Sequence, residues 1–171
     1  MAKGDIKIVD CGGRSNSPVL KFRTKGGDTA INAGEPVKIA RASTVYVVPL
    51  ADGDLLTDAP YFVGIAAANA THTTSADGYV DVYLDLPGTV YRAKAKTAAN
   101  ADTQADIDDR MLYRVVIDLT SSKYTVDAAA SDLATNGLII VGGSAATSEI
   151  DFIVAGQATW REWANRGDGS Y

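Results

Sequence analysis

Short runs in which apolar and polar residues alternate recur along most of this chain. Each is bounded by turn-forming residues, and the two-residue period predicts strands rather than helices. The runs cover Pro36–Ala42, Thr44–Leu50, Tyr61–Ala67, Tyr79–Leu86, Thr89–Lys96, Met111–Leu119, Tyr124–Val126, Gly137–Val141 and Glu149–Ala155. About nine short strands predict an all-β fold, a small antiparallel barrel or sandwich. Tyr113, Val115, Ile117 and Leu119 alternate with Arg114 and Asp118, and Ile150, Phe152 and Val154 alternate with Asp151, as half-exposed antiparallel strands do. Two Ala/Asp-rich stretches, Thr97–Arg110 and Asp127–Asn136, each have room for one short helix over an open barrel end.

Residues 79–96, YVDVYLDLPGTVYRAKAK, specify the most detail. Val80, Val82, Leu84 and Leu86 face one way; Tyr79, Asp81, Tyr83 and Asp85 face the other. A hairpin centred on Pro87 and Gly88 sets Leu84 opposite Tyr91, Val82 opposite Ala93 and Val80 opposite Ala95. Its outer face pairs Asp81 with Lys94 and sets Tyr83 beside Arg92, contacts that cross-strand neighbours favour. A Pro-Gly type II turn has the wrong twist for a two-residue loop, so a four-residue loop is expected.

The first 25 residues read differently. Ile6 and Ile8 alternate briefly, and then GGRSNSP at 12–18 favours irregular backbone. Six Lys and Arg stand there against Asp5 and Asp10, so a charge of +4 precedes a body of −9 within a net charge of −5. The expectation is an extended basic arm, residues 1–25, that cannot fold alone, ahead of a single domain, residues 26–171, with a flexible tail at 164–171. Such an arm suits an acidic surface. A sequence pI near 4.7 argues against nucleic acid.

Composition mostly subtracts functions. A chain of 171 residues with 46% hydrophobic and 22% charged residues fits one globular domain. Of its 21 acidic residues 18 are Asp, which favours turns and caps over helix interiors. No apolar run approaches the ~20 residues of a spanning helix, and MAKGDIKIVD lacks a signal-peptide core, so synthesis in a cytoplasm without membrane insertion is expected. One cysteine, Cys11, excludes an internal disulfide. One histidine, His72, lies in the polar stretch NATHTTSADG and reads as a solvated loop residue rather than a triad base. Cys11 has no neighbouring His or helix start to activate it. The groups Asp102, Asp106, Asp108, Asp109 and Asp52, Asp54, Asp58 could offer oxygen to Ca²⁺, but neither fits the twelve-residue calcium loop, and turns or a helix end explain both. VGGSAATSE at 141–149 lacks the phosphate-loop Lys and reads as a hairpin loop. Arg166-Gly167-Asp168 matches an integrin-read tripeptide too short to be specific. No catalytic group, cofactor or metal is expected. Trp160 and Trp163, beyond the last strand, would plug the barrel or anchor a subunit interface, where Trp, Tyr and Arg are enriched.

INAGEPVKIA, then YFVGIAAANAT, then YVDVYLDLPGTVYRAKAK resembles, in order and spacing, the small capsid decoration (cement) proteins of tailed bacteriophages. The matching residues are Ala33, Gly34, Glu35 and Val37; Val63, Gly64, Ile65 and Ala66; and Gly78, Val80, Val82, Leu84, Gly88 and Val90. The resemblance covers about residues 28–96, and the chain departs from it in its longer second half and its tail. It implies a β-barrel or β-tulip, usually a homotrimer, on the outer face of an icosahedral head at threefold and quasi-threefold positions, bridging major capsid subunits. On that reading Ile6, Lys7, Ile8, Arg14, Lys21 and Arg23 form a capsid-contacting arm by strand addition and ion pairing, and deleting residues 1–25 should leave a folded protein. Trp160, Trp163, Tyr83 and Arg92 are then candidates for the subunit interface. The alternative is a glycan- or receptor-binding β-sandwich using exposed Tyr79, Tyr83, Trp160 or the RGD tail. A hydrolase using the Asp cluster and a metal is a third class, which nothing in the sequence requires.

Overall fold

The computed structural model of the chain describes residues 6–40, 46–51, 62–120, 123–129 and 137–155. The fold is all-β. Its strands are β1 (Lys7–Cys11), β2 (Val19–Thr24), β3 (Pro36–Ile39), β4 (Val47–Pro49), β5 (Phe62–Ala66), β6 (Gly78–Leu84), β7 (Thr89–Lys94), β8 (Arg114–Thr120), β9 (Lys123–Asp127), β10 (Leu138–Ser144) and β11 (Glu149–Val154), with one short helix, α1 (Gln104–Asp108). Each of the nine alternating runs contains a strand. The two additional strands, β1 and β2, come from the segment expected to be an arm.

The strands form two antiparallel sheets, β2-β6-β5-β3-β4 and β1-β7-β11-β10-β8-β9. Each curls until distant strands meet. In the first, Arg23 of β2 forms a parallel bridge with Tyr46, just ahead of β4, closing a five-stranded roll. Val37, Ile39, Val47, Val63, Val80 and Val82 fill it. In the second, Ala95, just past β7, bridges Val126 of β9. Tyr91, Val115, Ile117, Tyr124, Leu138, Ile140, Ile150 and Phe152 form its core. That core continues onto Phe62 and Ile65 of β5, where the Phe62 and Tyr91 rings meet edge to face at 5.5 Å. Two buried hydroxyls tie the rolls together: Tyr91 donates to Asp85 Oδ1 at 3.0 Å and Tyr124 to the Leu50 carbonyl at 2.9 Å. Helix α1 covers one end of the second roll, capped by Thr103 and inserting fully buried Ile107. Most of the second Ala/Asp-rich stretch lies outside the described residues.

Two expectations change. The hairpin at 79–96 does not form, because β6 and β7 belong to different sheets and the Pro87-Gly88 turn is the crossing between them. The alternation was correct, since both strands bury every second residue. The partners were not: Asp81 faces Lys21, Arg92 faces Asp151, and Lys94 faces Glu149. Arg92 and Lys94 thus find their carboxylates on β11, not on β6.

The second change concerns the arm. Residues 7–24 run antiparallel to the whole β6–turn–β7 segment, β1 against β7 and β2 against β6. The loop between them lies on the Pro87-Gly88 crossing. A Cβ on Gly12 would come within 2.8 Å of the Pro87 carbonyl oxygen, and Arg14 donates to that oxygen at 3.1 Å. Ile6 is buried in the core and Ile8 packs against it. The basic segment is therefore part of both sheets rather than a separable arm.

The first roll's seam carries a polar cluster. Asp77 accepts from the Gly26 N–H at 2.9 Å and from the Tyr46 hydroxyl at 2.7 Å, and Arg23 lies 3.4 Å from the same carboxylate and 5.2 Å from the Tyr46 ring. The Gly26 N–H, followed by the Tyr46 hydroxyl and the nearby Arg23 and Lys25 charges, holds the Asp77 carboxyl below its ordinary range. A lowered carboxylate pKa stabilises the fold above the unfolded value, and that contribution is lost as pH falls through the folded value. Thermal unfolding followed from neutral pH to below about pH 4 should show a steeper loss in the parent than in Asp77→Asn. Parallel acid limbs would mean the cluster does not hold the seam. The second seam has its own cluster, Lys96 with Asp118 and Asp127, which raises the lysine's pKa through hydrogen bonds to Asp118 first and Asp127 second.

Candidate functional site

The residues expected to contact a capsid fall into three environments. Ile6 and Ile8 serve the core, as above. Arg23 is engaged at the seam and Arg14 on the Pro87 carbonyl. Lys7 and Lys21 are exposed, and no ion pair holds either among the described residues. Among the described residues β1 pairs only with β7, and β2 only with β6 apart from the Arg23–Tyr46 bridge. Both are therefore edge strands, and such edges can accept a further strand.

Between these edges lies a groove of about 760 Å³, lined by Ile6, Ile8, Cys11, Ser15, Asn16, Ser17, Val19, Gly34, Ile65, Ala66, Ala67 and Tyr83. It exists because β1 and β2 leave the Gly12–Ser17 loop toward different sheets. Its walls are apolar, with small polar groups at one end, where Cys11 Sγ and Ser17 Oγ are 3.3 Å apart. Residues 7–25 carry Lys7, Arg14, Lys21, Arg23 and Lys25 against Asp10, whose carboxylate is occupied by the Gly12 and Gly13 N–H groups.

Of the residues considered for a subunit interface, Tyr83 and Arg92 are described, and they belong to different sheets. Tyr83 is on the groove rim in the first sheet, whereas Arg92 is in the second, bidentate on Asp151 at 2.5 and 2.8 Å. The hydrogen bond to Asp151 raises the Arg92 pKa further, so its charge is fixed and paired. Trp160, Trp163, the 164–171 tail with its RGD, and Asp52, Asp54 and Asp58 lie outside the described residues.

The catalytic and metal candidates among the described residues are engaged locally. His72 Nε2 sits 3.3 Å from the Asp28 carbonyl in a loop. Asp106 is bonded to the Thr103 hydroxyl, the first cause of its lowered pKa, and Arg110 lies 3.9 Å away. Asp108 accepts from Gln104 at 2.8 Å. Among the described residues no three His, Cys, Asp or Glu side chains gather as metal ligands, and no helix is long and apolar enough to cross a membrane.

No family model and no curated protein matches the chain. The segments that carried the resemblance are neighbours in the first roll. Ala33–Val37 leads into β3, which pairs with β5 through Pro36–Ile65 and Val37–Gly64; β5 pairs with β6 through Gly64–Leu84 and Ala66–Val82. Gly34 donates to the Ala66 carbonyl and Ala66 to the Glu35 carbonyl, both at 2.8 Å. These residues build the roll, and Gly34, Ile65 and Ala66 among them also line the groove.

One feature was not visible in the sequence. Met111, Leu112 and Tyr113 form a corner ahead of β8 and are 40%, 70% and 42% exposed. The sequence places all three inside the strand run Met111–Leu119, whereas β8 begins at Arg114.

Proposed function

We propose that the chain is a structural decoration protein that binds the outer surface of an icosahedral phage head and bridges neighbouring major capsid subunits, in threefold-related copies as the resemblance implies. The observation that carries this reading is the basic segment β1–β2, which combines the outer edge of β1, and that of β2 up to its bridge at Arg23, with two exposed lysines that have no ion pair among the described residues. An acidic, extended segment of a shell subunit suits it, by backbone pairing and by charge. Many copies on a symmetric lattice turn modest single contacts into firm retention through avidity. The role needs no catalytic chemistry, cofactor, nucleic acid or membrane.

The test is sedimentation of the purified chain with undecorated heads. Saturable, stoichiometric binding is expected, weakening as salt rises. Reversing both lysines (Lys7→Glu, Lys21→Glu) should weaken it about tenfold to a hundredfold, because two favourable surface pairings become repulsive. Binding unaffected by the reversal would remove the basic face from the attachment, and absence of binding to a matching shell would overturn the function. The second reading, a glycan- or receptor-binding module, is favoured by the half-exposed rings of Tyr79 and Tyr83 on one face of β6. Binding to a glycan panel, abolished by Tyr79→Ala, would select it.

A further inference from the structure

The outward side of the second roll is divided between charge and hydrocarbon. We propose that its apolar part is a docking face for the chain's own last residues, with Trp160 and Trp163 of the same copy packed on Val90, Ile139 and Ile153. This inference does not rest on the phage-head reading.

An antiparallel sheet with one face on a core usually turns polar side chains to the other side. In the second roll β7 and β11 follow that rule at one end only. There Arg92, Lys94, Glu149 and Asp151 face outward and pair across the two strands. At the other end the outward positions are Val90 on β7 and Ile153 on β11, each between two buried neighbours. Ile153 pairs with Ile139 of β10, itself outward between buried Leu138 and Ile140, and continuing the Phe152–Tyr91 register by one step sets Val90 beside Ile153. Three β-branched side chains on adjacent strands thus form one row, about 10 Å from first to last. Val116, outward on β8 between buried Val115 and Ile117, adds to it beyond Ile139. None of the four belongs to either core cluster.

The chain itself continues from this row. β11 ends at Val154, directly after Ile153, and the Ala155 N–H donates to the carbonyl of Gly137 at 2.8 Å, just ahead of β10. Residues 156–171 follow; they lie outside the described residues and hold both tryptophans of the chain. Because β11 supplies the middle of the row, no strand stands between the row and the point where these residues begin. An extended chain gains about 3.3–3.6 Å per residue, so Trp160 can stand anywhere within roughly 17 Å of Ala155, which exceeds the width of the row. The chemistry matches too, since an indole buries about 150–250 Å² and needs a hydrocarbon surface of this kind. A segment tethered at the edge of the face meets it at an effective concentration of about millimolar and avoids the translational cost that a separate partner must meet. That advantage favours the chain's own tryptophans over a second copy or a foreign partner.

The test is tryptophan fluorescence of the full chain, which reports on Trp160 and Trp163 alone because the chain has no others. At low micromolar concentration the emission should lie to the blue of N-acetyltryptophanamide, with iodide quenching several-fold weaker than that of the free compound. Ile139→Thr with Ile153→Thr keeps the β-branching that suits the strands while making the row polar. It should move the emission to the red and restore quenching, with the parent's circular dichroism retained. Val90→Thr alone should give a smaller shift in the same direction, and it carries the test if the double variant unfolds. A parent whose emission and quenching equal those of the free compound would overturn the proposal. So would a shielded emission that neither variant moves, because tryptophans plugging the end of a roll would not respond to this row. Shielding that is lost on dilution would place the rings on a second copy and overturn docking within one chain.

Discussion

Gly64→Ala should be the most damaging single substitution in the first roll, costing at least about 3 kcal/mol and lowering the melting temperature by roughly 6–12 °C or more. Gly64 lies in β5 at φ +152°, a backbone region essentially closed to other residues. Space is lacking too. A Cβ there would overlap the Tyr83 carbonyl oxygen and lie 3.1 Å from the Asp85 nitrogen, all backbone of the neighbouring β6 segment. The cause is the irregular register at Val37–Lys38, where β3 meets Gly64 and then Phe62, leaving Val63 as the extra residue of a bulge. That bulge lets Phe62 and Ile65 both point toward the second roll while Val63 and Ala66 fill the first. Gly13→Ala is the control: at φ +78° with no atom within 4 Å of the added methyl, it carries only the conformational cost, about 1–2 kcal/mol. Chemical denaturation of both variants checks the difference. Equal, small losses would mean that β5 does not pass β6 in this register.

Strand existence was legible because a two-residue period is written into each run, and burial follows it closely in β6, β7 and β11. Strand partnership was not legible. A period states which face a side chain takes and nothing about which strand lies beside it, so Asp81 could be assigned to Lys94 as reasonably as to Lys21. The short Pro87-Gly88 link compounded this, since a tight turn between two amphipathic runs serves a hairpin and a sheet-to-sheet crossing equally well. The seams escaped for another reason. Each closes on one bridge between residues far apart in sequence, Arg23 with Tyr46 and Ala95 with Val126, and no local pattern encodes either.

The candidate site divides in the same way. Its charge was evident from the lysines and arginines of the first 25 residues, and GGRSNSP does form the irregular loop that its composition predicts. Its shape was not, because the groove depends on β1 and β2 joining different sheets. The corner was hidden because Tyr113 fits the alternation of Val115, Ile117 and Leu119, so the strand run reads on from Met111 without a break. In the fold Tyr113 precedes the first residue of β8, and a left-handed Leu112 turns the run outward.

Deleting residues 1–25 should abolish the cooperative fold, in contrast to what a separable arm would allow. The deletion removes Ile6 from the core, the packing of Ile8 and Phe22 against the two clusters, and one neighbouring strand from each of β6 and β7 at once. Three apolar side chains at about 1.5–3 kcal/mol each, discounted for partial exposure, come to roughly 4–8 kcal/mol, comparable with the about 5–15 kcal/mol that holds a domain together. The newly bared edges of β6 and β7 would add a route to aggregation. Ile6→Ala measures part of this alone and should cost about 2–4 kcal/mol while leaving a folded protein. Urea unfolding followed by circular dichroism distinguishes the cases, and a truncated chain that unfolds cooperatively near the parent's midpoint would return β1 and β2 to the status of an arm. The distinction governs how head binding is tested. If the truncation unfolds, its failure to bind heads says nothing about docking, and only surface changes such as Lys7→Glu with Lys21→Glu, which leave the two strands paired, report on the face itself.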